Sequence, residues 1–265
     1  MTKTNNTSNW KSELKSLIIV ISLAMLIRIF IIELFVVPTA SMRATILIGD
    51  YILSTKYSYG YSRYSIPFKP NLFSGRIFAH YPERGDVIIM QPPHDMQNRY
   101  VKRLIGLPGE KIQIINDLIY INDKPIKRVE VGNFINEQDG EEYIKFKETL
   151  PDGISFFSYK LKHPNYLATM THGNFGPYYV PRDHFFFLGD NRDESKDSRF
   201  ELGMVPFENL IAKARFIIFS TKEWLWVSGT PPVEQVKRLW TWLASIRFDR
   251  LFTSDMYHTD SAENE

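Results

Sequence analysis

No cysteine occurs in the 265 residues, which excludes disulfides, thiolate zinc sites, iron–sulfur clusters and a thiol nucleophile. Charge of one sign is equally scarce. Lys and Arg number 32 against 30 Asp and Glu, a formal net charge of +2, and no basic block stands out, so electrostatics make no case for a nucleic-acid partner. Internal repeats and low-complexity tracts are missing. Long apolar runs reduce to one, at residues 17–37, and no second run of about 18 residues could cross a bilayer. The composition, 44% hydrophobic and 23% charged, excludes a wholly disordered chain. What is abundant is aromatic: 14 Tyr and 19 Phe lean towards β-rich structure or a membrane surface.

The apolar run, LIIVISLAMLIRIFIIELFVV, is interrupted by Arg28 and Glu33. About 20 such residues in helix span a hydrocarbon core. Lys3, Lys11 and Lys15 precede it against Glu13, with Trp10 as an interfacial anchor. The positive-inside bias then predicts a cytoplasmic segment 1–16, a transmembrane anchor 17–37 and an external remainder. The alternative is a cleaved secretory signal with an apolar core at Leu17–Ile27, whose cleavage after Ala40 would put Pro38 at −3, a poor match to the small-x-small rule. Arg28 and Glu33 also leave open an exit from the bilayer near Arg28.

After residue 50 the periodicities are mostly those of strands. Asp86–Gln91 and Tyr100–Ile105 are short β-prone runs closed by Pro or Gly. Lys111–Ile115 and Leu118–Ile121 flank Asn116-Asp117, a hairpin signal. Phe185–Leu188 and Ala214–Phe219 read as buried strands, and Ser58–Pro82 as a loop. The expected fold is mainly β: a single N-terminal transmembrane helix followed by an external β-domain in two parts, 38–121 and 181–222, with a less regular inserted subdomain at 122–180. The last stretch, 223–265, holds Trp224, Trp226, Trp240 and Trp242. There Val236, Leu239, Trp240, Leu243 and Ile246 share a helical stripe beside Lys237, Arg238, Arg247 and Arg250. That pattern suits a basic amphipathic helix on a membrane surface and equally a helix packed on the β-domain. A polar tail follows Asp255.

Common catalytic signatures are missing: there is no G-x-S-x-G, no H-E-x-x-H and no P-loop. Ser8…Lys11 and Ser12…Lys15 have S-x-x-K spacing but precede the apolar run and lack the S-D-N and K-T-G companions. The six histidines (80, 94, 163, 172, 184 and 258) show no metal spacing. Arg84-Gly85-Asp86 reads as a turn feeding the strand that follows. Three segments do not read as plain scaffold. One is the hydroxyl-bearing stretch Pro38–Asp50 beside the apolar run. The second is Tyr100–Gly109, where strand alternation puts Lys102 on one face with Tyr100 and Leu104, and Arg103 on the other. The third is the dense polar stretch Gly189–Arg199 after an apolar strand, a place where supporting groups of active sites sit.

The ordered set Pro38-Thr39-Ala40-Ser41-Met42, Arg84-Gly85-Asp86-Val87, Tyr100-Val101-Lys102-Arg103-Leu104-Ile105-Gly106-Leu107-Pro108-Gly109 and Gly189–Arg199 resembles the motifs of type I signal peptidases, the membrane-bound serine proteases that release secretory signal peptides. The resemblance covers roughly residues 36–50, 84–112 and 185–215. It implies that Ser41 is the nucleophile and Lys102 its general base, a Ser–Lys dyad in place of Ser-His-Asp. It implies an oxyanion hole from the Ser41 N–H and the Thr39 hydroxyl, with Ser195 orienting the Lys102 amine. Asp197 and Arg199 would form a structural ion pair beneath the site, and Asp190 would support it. The implied substrates are exported preproteins with small residues at −1 and −3, cleaved outside a bacterial inner membrane, with no cofactor or metal.

The chemistry makes one demand. A lysine of ordinary pKa, about 10.4, is charged at neutral pH and cannot accept a proton, but burial lowers it by up to ~3–5 units. The Tyr100/Lys102/Leu104 face would supply that burial, and the apolar Ile46–Ile52 surface would help keep the site at bilayer height. Ala44 stands where the family usually has Pro, Ala40 where Gly is common and Glu194 where Asn is frequent; Ala44 would loosen the loop holding Ser41. Two other readings stay open: a catalytically inactive membrane-tethered β-domain that binds extracytoplasmic proteins, and a soluble Ser–Lys self-cleaving repressor, against which the apolar run argues.

Overall fold

The computed structural model describes residues 10–136, 140–163, 173–224, 232–254, 256 and 258–259. Helix α1 (Trp10–Phe30) buries none of its residues. It stops at Phe30 and not at Val37, because the chain turns at Ile31 and enters strand β1 (Ile32–Val36). The cause is local. Glu33 finds two cations of the β-domain, Lys56 at 3.1 Å and Arg99, and the backbone of Ile32–Val36 pairs with β2 (Asp50–Thr55). The expected helix over 17–37 is therefore corrected, and among the described residues no helix is long and apolar enough to cross a membrane.

The largest sheet adds β3 (Val87–Met90), β4 (Tyr100–Gly106), β12 (His184–Leu188), β13 (Val205–Pro206) and β14 (Leu210–Ser220), in the order β1-β2-β14-β3-β4-β12-β13. Every residue of β3 is buried, so it shows a continuous apolar run and not an alternation. Strand β4 pairs with it, Val87 opposite Arg103 and Ile88 opposite Lys102. Since β4 lies between β3 and β12, Lys102 and Arg103 both point into the protein, one on each face, and both need partners.

A second sheet contains β8 (Lys127–Ile135), β9 (Glu142–Thr149), β10 (Ile154–Leu161) and β15 (His258–Thr259); the third contains β5 (Lys111–Ile115), β6 (Leu118–Ile121), β7 (Lys124–Pro125) and β11 (Phe175–Tyr179). The β5–β6 hairpin has the expected register, Ile115 opposite Leu118. Asn116 and Asp117 adopt φ of 50° and 67°, the double left-handed pair of a type I′ turn. The same Ile-Asn-Asp triplet recurs at 121–123, with φ of 51° and 65° at Asn122 and Asp123, and turns β6 into β7. Residues 122–180 are thus regular where described, and β11 joins β5, so the third sheet is built across the expected 121/122 boundary. Ile46 and Ile52, expected at the surface, are fully buried in the core with Val87 and Ile89. Helix α2 (Pro232–Ala244) leaves Trp240 exposed, while the Trp242 ring packs 5.6 Å from that of Phe219. Lys3, Trp226 and most of the tail after Asp255 lie outside the described residues.

The faces meet at Arg103. It is fully buried and pairs with Asp190, Nε to Oδ1 at 2.8 Å and Nη2 to Oδ2 at 2.7 Å, while its guanidinium carbon sits 4.3 Å from the ring centroid of Phe156 on β10. Removing one partner of such a pair leaves a buried charge uncompensated. Arg103→Met is expected to lower stability by about 3–5 kcal/mol, and the double variant with Asp190→Asn to lose less than the sum of the two; urea unfolding of the full chain in detergent measures both.

Candidate active site

Ser41 sits in a tight loop in which Arg43 N–H donates to Ala40 O and Ile46 N–H to Met42 O, at 3.0 and 2.7 Å. The polar segment after β12 grips this loop. Asn191 N–H donates to Ser41 O at 3.1 Å and its Nδ2 to Ala40 O at 3.2 Å. Thr45 Oγ1 donates to Asp190 Oδ2 at 2.5 Å. Gly189 is there for space: a Cβ on it would lie 2.5 Å from Ser41 O and collide with Ser195.

Lys102 reaches Ser41 from β4, its Nζ donating to Ser41 Oγ at 2.5 Å, although the two are 61 residues apart. Lys102 is 3% exposed, and its amine lies 5.5 Å from the Tyr100 ring centroid. Burial is the main cause that brings its pKa down from 10.5 to about 8; Asp197 and Asp190 pull it up and Arg199 pushes it down. Asp197 is buried, which by itself would raise its carboxyl. Arg199, donating from Nε at 2.8 Å and Nη2 at 2.9 Å, and the Gly189 N–H at 3.0 Å hold it below the ordinary carboxylate range instead. The Asp197–Arg199 pair expected beneath the site is thus present as an ion pair.

Two expected contacts take another form. Ser195 Oγ is buried with no hydrogen-bond partner among the described residues, so it does not touch the Lys102 amine. Thr39 is exposed, with Oγ1 3.4 Å from Ser41 Oγ. The sequence reading underrated Asp190, which joins β4 to the Ser41 loop, and passed over Arg103, Thr45 and Asn191. A charged residue between Val101 and Ile105 on the apolar face of β4 was the available signal for Arg103. Glu194, in the place where Asn is frequent, accepts from Asn191 Nδ2 at 2.6 Å and lies 3.6 Å from Arg43.

Ser41 and Lys102 open into a groove of about 650 Å³ walled by Phe35 and Val36 of β1, by Val37 just after it, and by Tyr100 and Val101 of β4. A serine hydroxyl pressed against an amine that is partly neutral at physiological pH, at the side of an apolar groove beside a sheet edge, is an arrangement for acyl transfer from an extended peptide. The comparisons with known proteins agree with that class. The family model described as signal peptidase, peptidase S26, matches residues 10–219. Signal peptidase I of Rickettsia massiliae (strain Mtu5) is 56% identical over 263 residues, 98% of each chain. Signal peptidase I of Rickettsia bellii (strain OSU 85-389) is 56% identical over 254 residues, 95% of this chain and 88% of that one. A crystal structure of a signal peptidase I from Enterococcus faecalis V583 is 27% identical, covering 51% of this chain and 97% of that one with a TM-score of 0.30. The chain belongs to the signal peptidase family, peptidase S26.

Gly189→Ala is expected to displace the Ser41 carbonyl, to reduce kcat about 100-fold, the scale of a 1 Å misplacement, and to cost about 1–3 kcal/mol of stability because the added methyl overpacks a buried place; steady-state peptide cleavage and a thermal melt test this together. The lowered Lys102 pKa also carries a stability sign. Between pH 8 and 10.5 the unfolded chain holds a proton that folded Lys102 has released, so stability rises with pH across that window and the full cost applies below pH 8. Lys102→Met removes this cost. The variant is expected to be more stable than the parent by about 3 kcal/mol at pH 7, with the gap closing towards pH 10 in urea titrations.

Proposed function

We propose that this chain is a membrane-bound signal peptidase that cuts exported preproteins with Ser41 as nucleophile and Lys102 as general base. The observation that carries the proposal is the 2.5 Å contact between Ser41 Oγ and the amine of Lys102, a residue only 3% exposed. Neutral Lys102 takes the Ser41 proton as Oγ attacks the carbonyl of the −1 residue. The oxyanion so formed is met by the Ser41 N–H and by the Thr39 hydroxyl, which turns away from Ser41 Oγ to do so; one such donor is worth ~10²–10³ in rate. The Lys102 ammonium then protonates the departing amine, and the acyl-enzyme is cleared by a water that gives its proton to the same nitrogen. Ser195 Oγ, buried and unpartnered, is suited to accept from the ammonium during these steps.

Strand β1 ends the large sheet and so offers its outer edge to an extended peptide. Side chains at −1 and −3 of such a peptide share a face and would enter the groove walled by β1 and β4, where large residues clash. The bilayer is the natural seat of α1. Its Leu17–Phe30 stretch carries one charge, Arg28, and the exposed Ile31 and Leu34 continue its apolar surface into the β-domain. Fourteen residues cover roughly 21 Å at 1.5 Å each, short of a hydrocarbon core of about 30 Å, so Ile31 and Leu34 complete the apolar length. With Lys11 and Lys15 near its start, the positive-inside bias supports a cytoplasmic start for α1 and an external β-domain.

The test is cleavage of a preprotein with Ala at −1 and −3 in detergent–lipid micelles. The intact chain is expected to cut after the −1 Ala, and Ser41→Ala and Lys102→Met to lose at least about 10³-fold. Because the base is the unprotonated amine, kcat/KM is expected to rise with pH to a midpoint near 8. A flat profile between pH 5 and 9 with chemistry limiting excludes Lys102 as the base, and no cleavage by folded, lipid-supplied protein leaves a tethered binding domain.

A further inference from the structure

Resting on that assignment of Ser41, we infer that Arg247 and Arg250, in the segment after α2, are positioning residues for the nucleophile loop. The loop from Ser41 to Gly49 is held on one flank by Asp190 and Asn191. On the other flank its main chain is held by the segment after α2. Arg250 Nη2 donates to Thr45 O at 3.0 Å and to Asp50 Oδ2 at 2.6 Å. Arg247 Nη1 donates to Ile48 O at 3.0 Å and to Ser220 Oγ at 2.9 Å. Asp50, fully buried, ties these together: it also accepts from Ser220 Oγ at 2.6 Å and from Leu47 N–H at 2.8 Å. Met256 completes the strap, packing in the same core cluster as Met42 and Ile46 and accepting from Arg103 Nη1 at 3.1 Å.

Thr45 is therefore pinned from both sides, its hydroxyl by Asp190 and its carbonyl by Arg250. Four residues from Ser41, that leaves the loop little room to drift. The two arginines belong to the cationic set beside the helical stripe, which suited a membrane surface and a packed helix equally; their side chains are only 10% and 20% exposed and are spent on the loop. Neither touches the groove, so their action on the reaction passes through loop geometry alone.

A proline at 44 would stiffen the same loop by fixing its own φ near −65° and restricting Arg43. That supplies a rescue test. In the full chain, with the Ala/Ala preprotein in detergent–lipid micelles, Arg250→Met is expected to lower kcat about 10- to 100-fold. KM should stay within about twofold and the midpoint of the pH profile should not move, since the surroundings of Lys102 are intact. Ala44→Pro is expected to be near neutral in the parent and to restore most of kcat in Arg250→Met. Arg250→Lys, which keeps the charge beside Asp50, serves where Arg250→Met does not fold, with a smaller loss and the same rescue. A normal kcat in both Arg250 variants overturns the inference, as does a loss that Ala44→Pro fails to recover or that comes with a shifted pH midpoint. If the parent itself does not cut, the functional reading falls and this inference with it; if the parent cuts and Ser41→Ala does not, failure of the rescue counts against the strap alone.

Discussion

The site depends first on the ion pair between Arg103 and Asp190. A buried guanidinium is tolerable only when its donors are used, and here five contacts use them: two to Asp190, one to Thr45 Oγ1 and one each to the carbonyls of Gly85 and Met256. Those partners belong to four separate stretches of chain. The guanidinium thus locates, around one strand residue, the turn before β3, the Ser41 loop, the polar segment after β12 and the main chain at Met256. Lys102, its neighbour on β4, is delivered to the opposite face by the pleat alone.

The second constraint is a balance of charge. Lys102 needs an environment that disfavours its ammonium without a counter-ion close enough to restore it. Asp197 is such a counter-ion in principle, and its pull on Lys102 is upward. Arg199 engages that carboxylate with two N–H groups and repels the ammonium directly. Arg192 carries the same logic outward, pairing with the fully buried Glu148 of β9 and accepting through its carbonyl from Arg199 Nη2 at 2.6 Å. The second sheet is in this way linked, through Glu148 and Arg192, to the arginine that pairs with Asp197.

Elements set by local chemistry were legible in the sequence. The β5–β6 hairpin follows from Asn116-Asp117, and β3 and β12 from short apolar runs. The partnership of Ser41 with Lys102 came through resemblance to a family, since residues 61 apart have no periodicity to link them. The Asn122-Asp123 turn carried the same signal as its twin and was hidden by the short strand after it. The helix end was misplaced because hydropathy counts Ile32–Val36 as membrane-compatible, while the partner that captures it, β2, lies about 20 residues on. Arg247 and Arg250 were left between a lipid surface and the β-domain for a related reason: a helical stripe says which residues share a side but not what stands opposite. Ser195 shows the converse, a residue whose expected contact with the Lys102 amine is not made although it lies buried against Gly189.

The passage from α1 to β1 takes a single residue, and that residue is hydrogen-bonded on both sides. Ile31 N–H donates to Ile27 O at 2.8 Å and Ile31 O accepts from Lys56 N–H at 3.0 Å, while Tyr61 OH caps Phe30 O at 2.6 Å. There is no tether here in the polymer sense, and no volume for the domain to sweep. Whatever holds the helix also sets the height and tilt of the groove, so that reach is fixed by the joint and a scissile bond presented a few ångströms too high or too low is out of range however well its side chains fit.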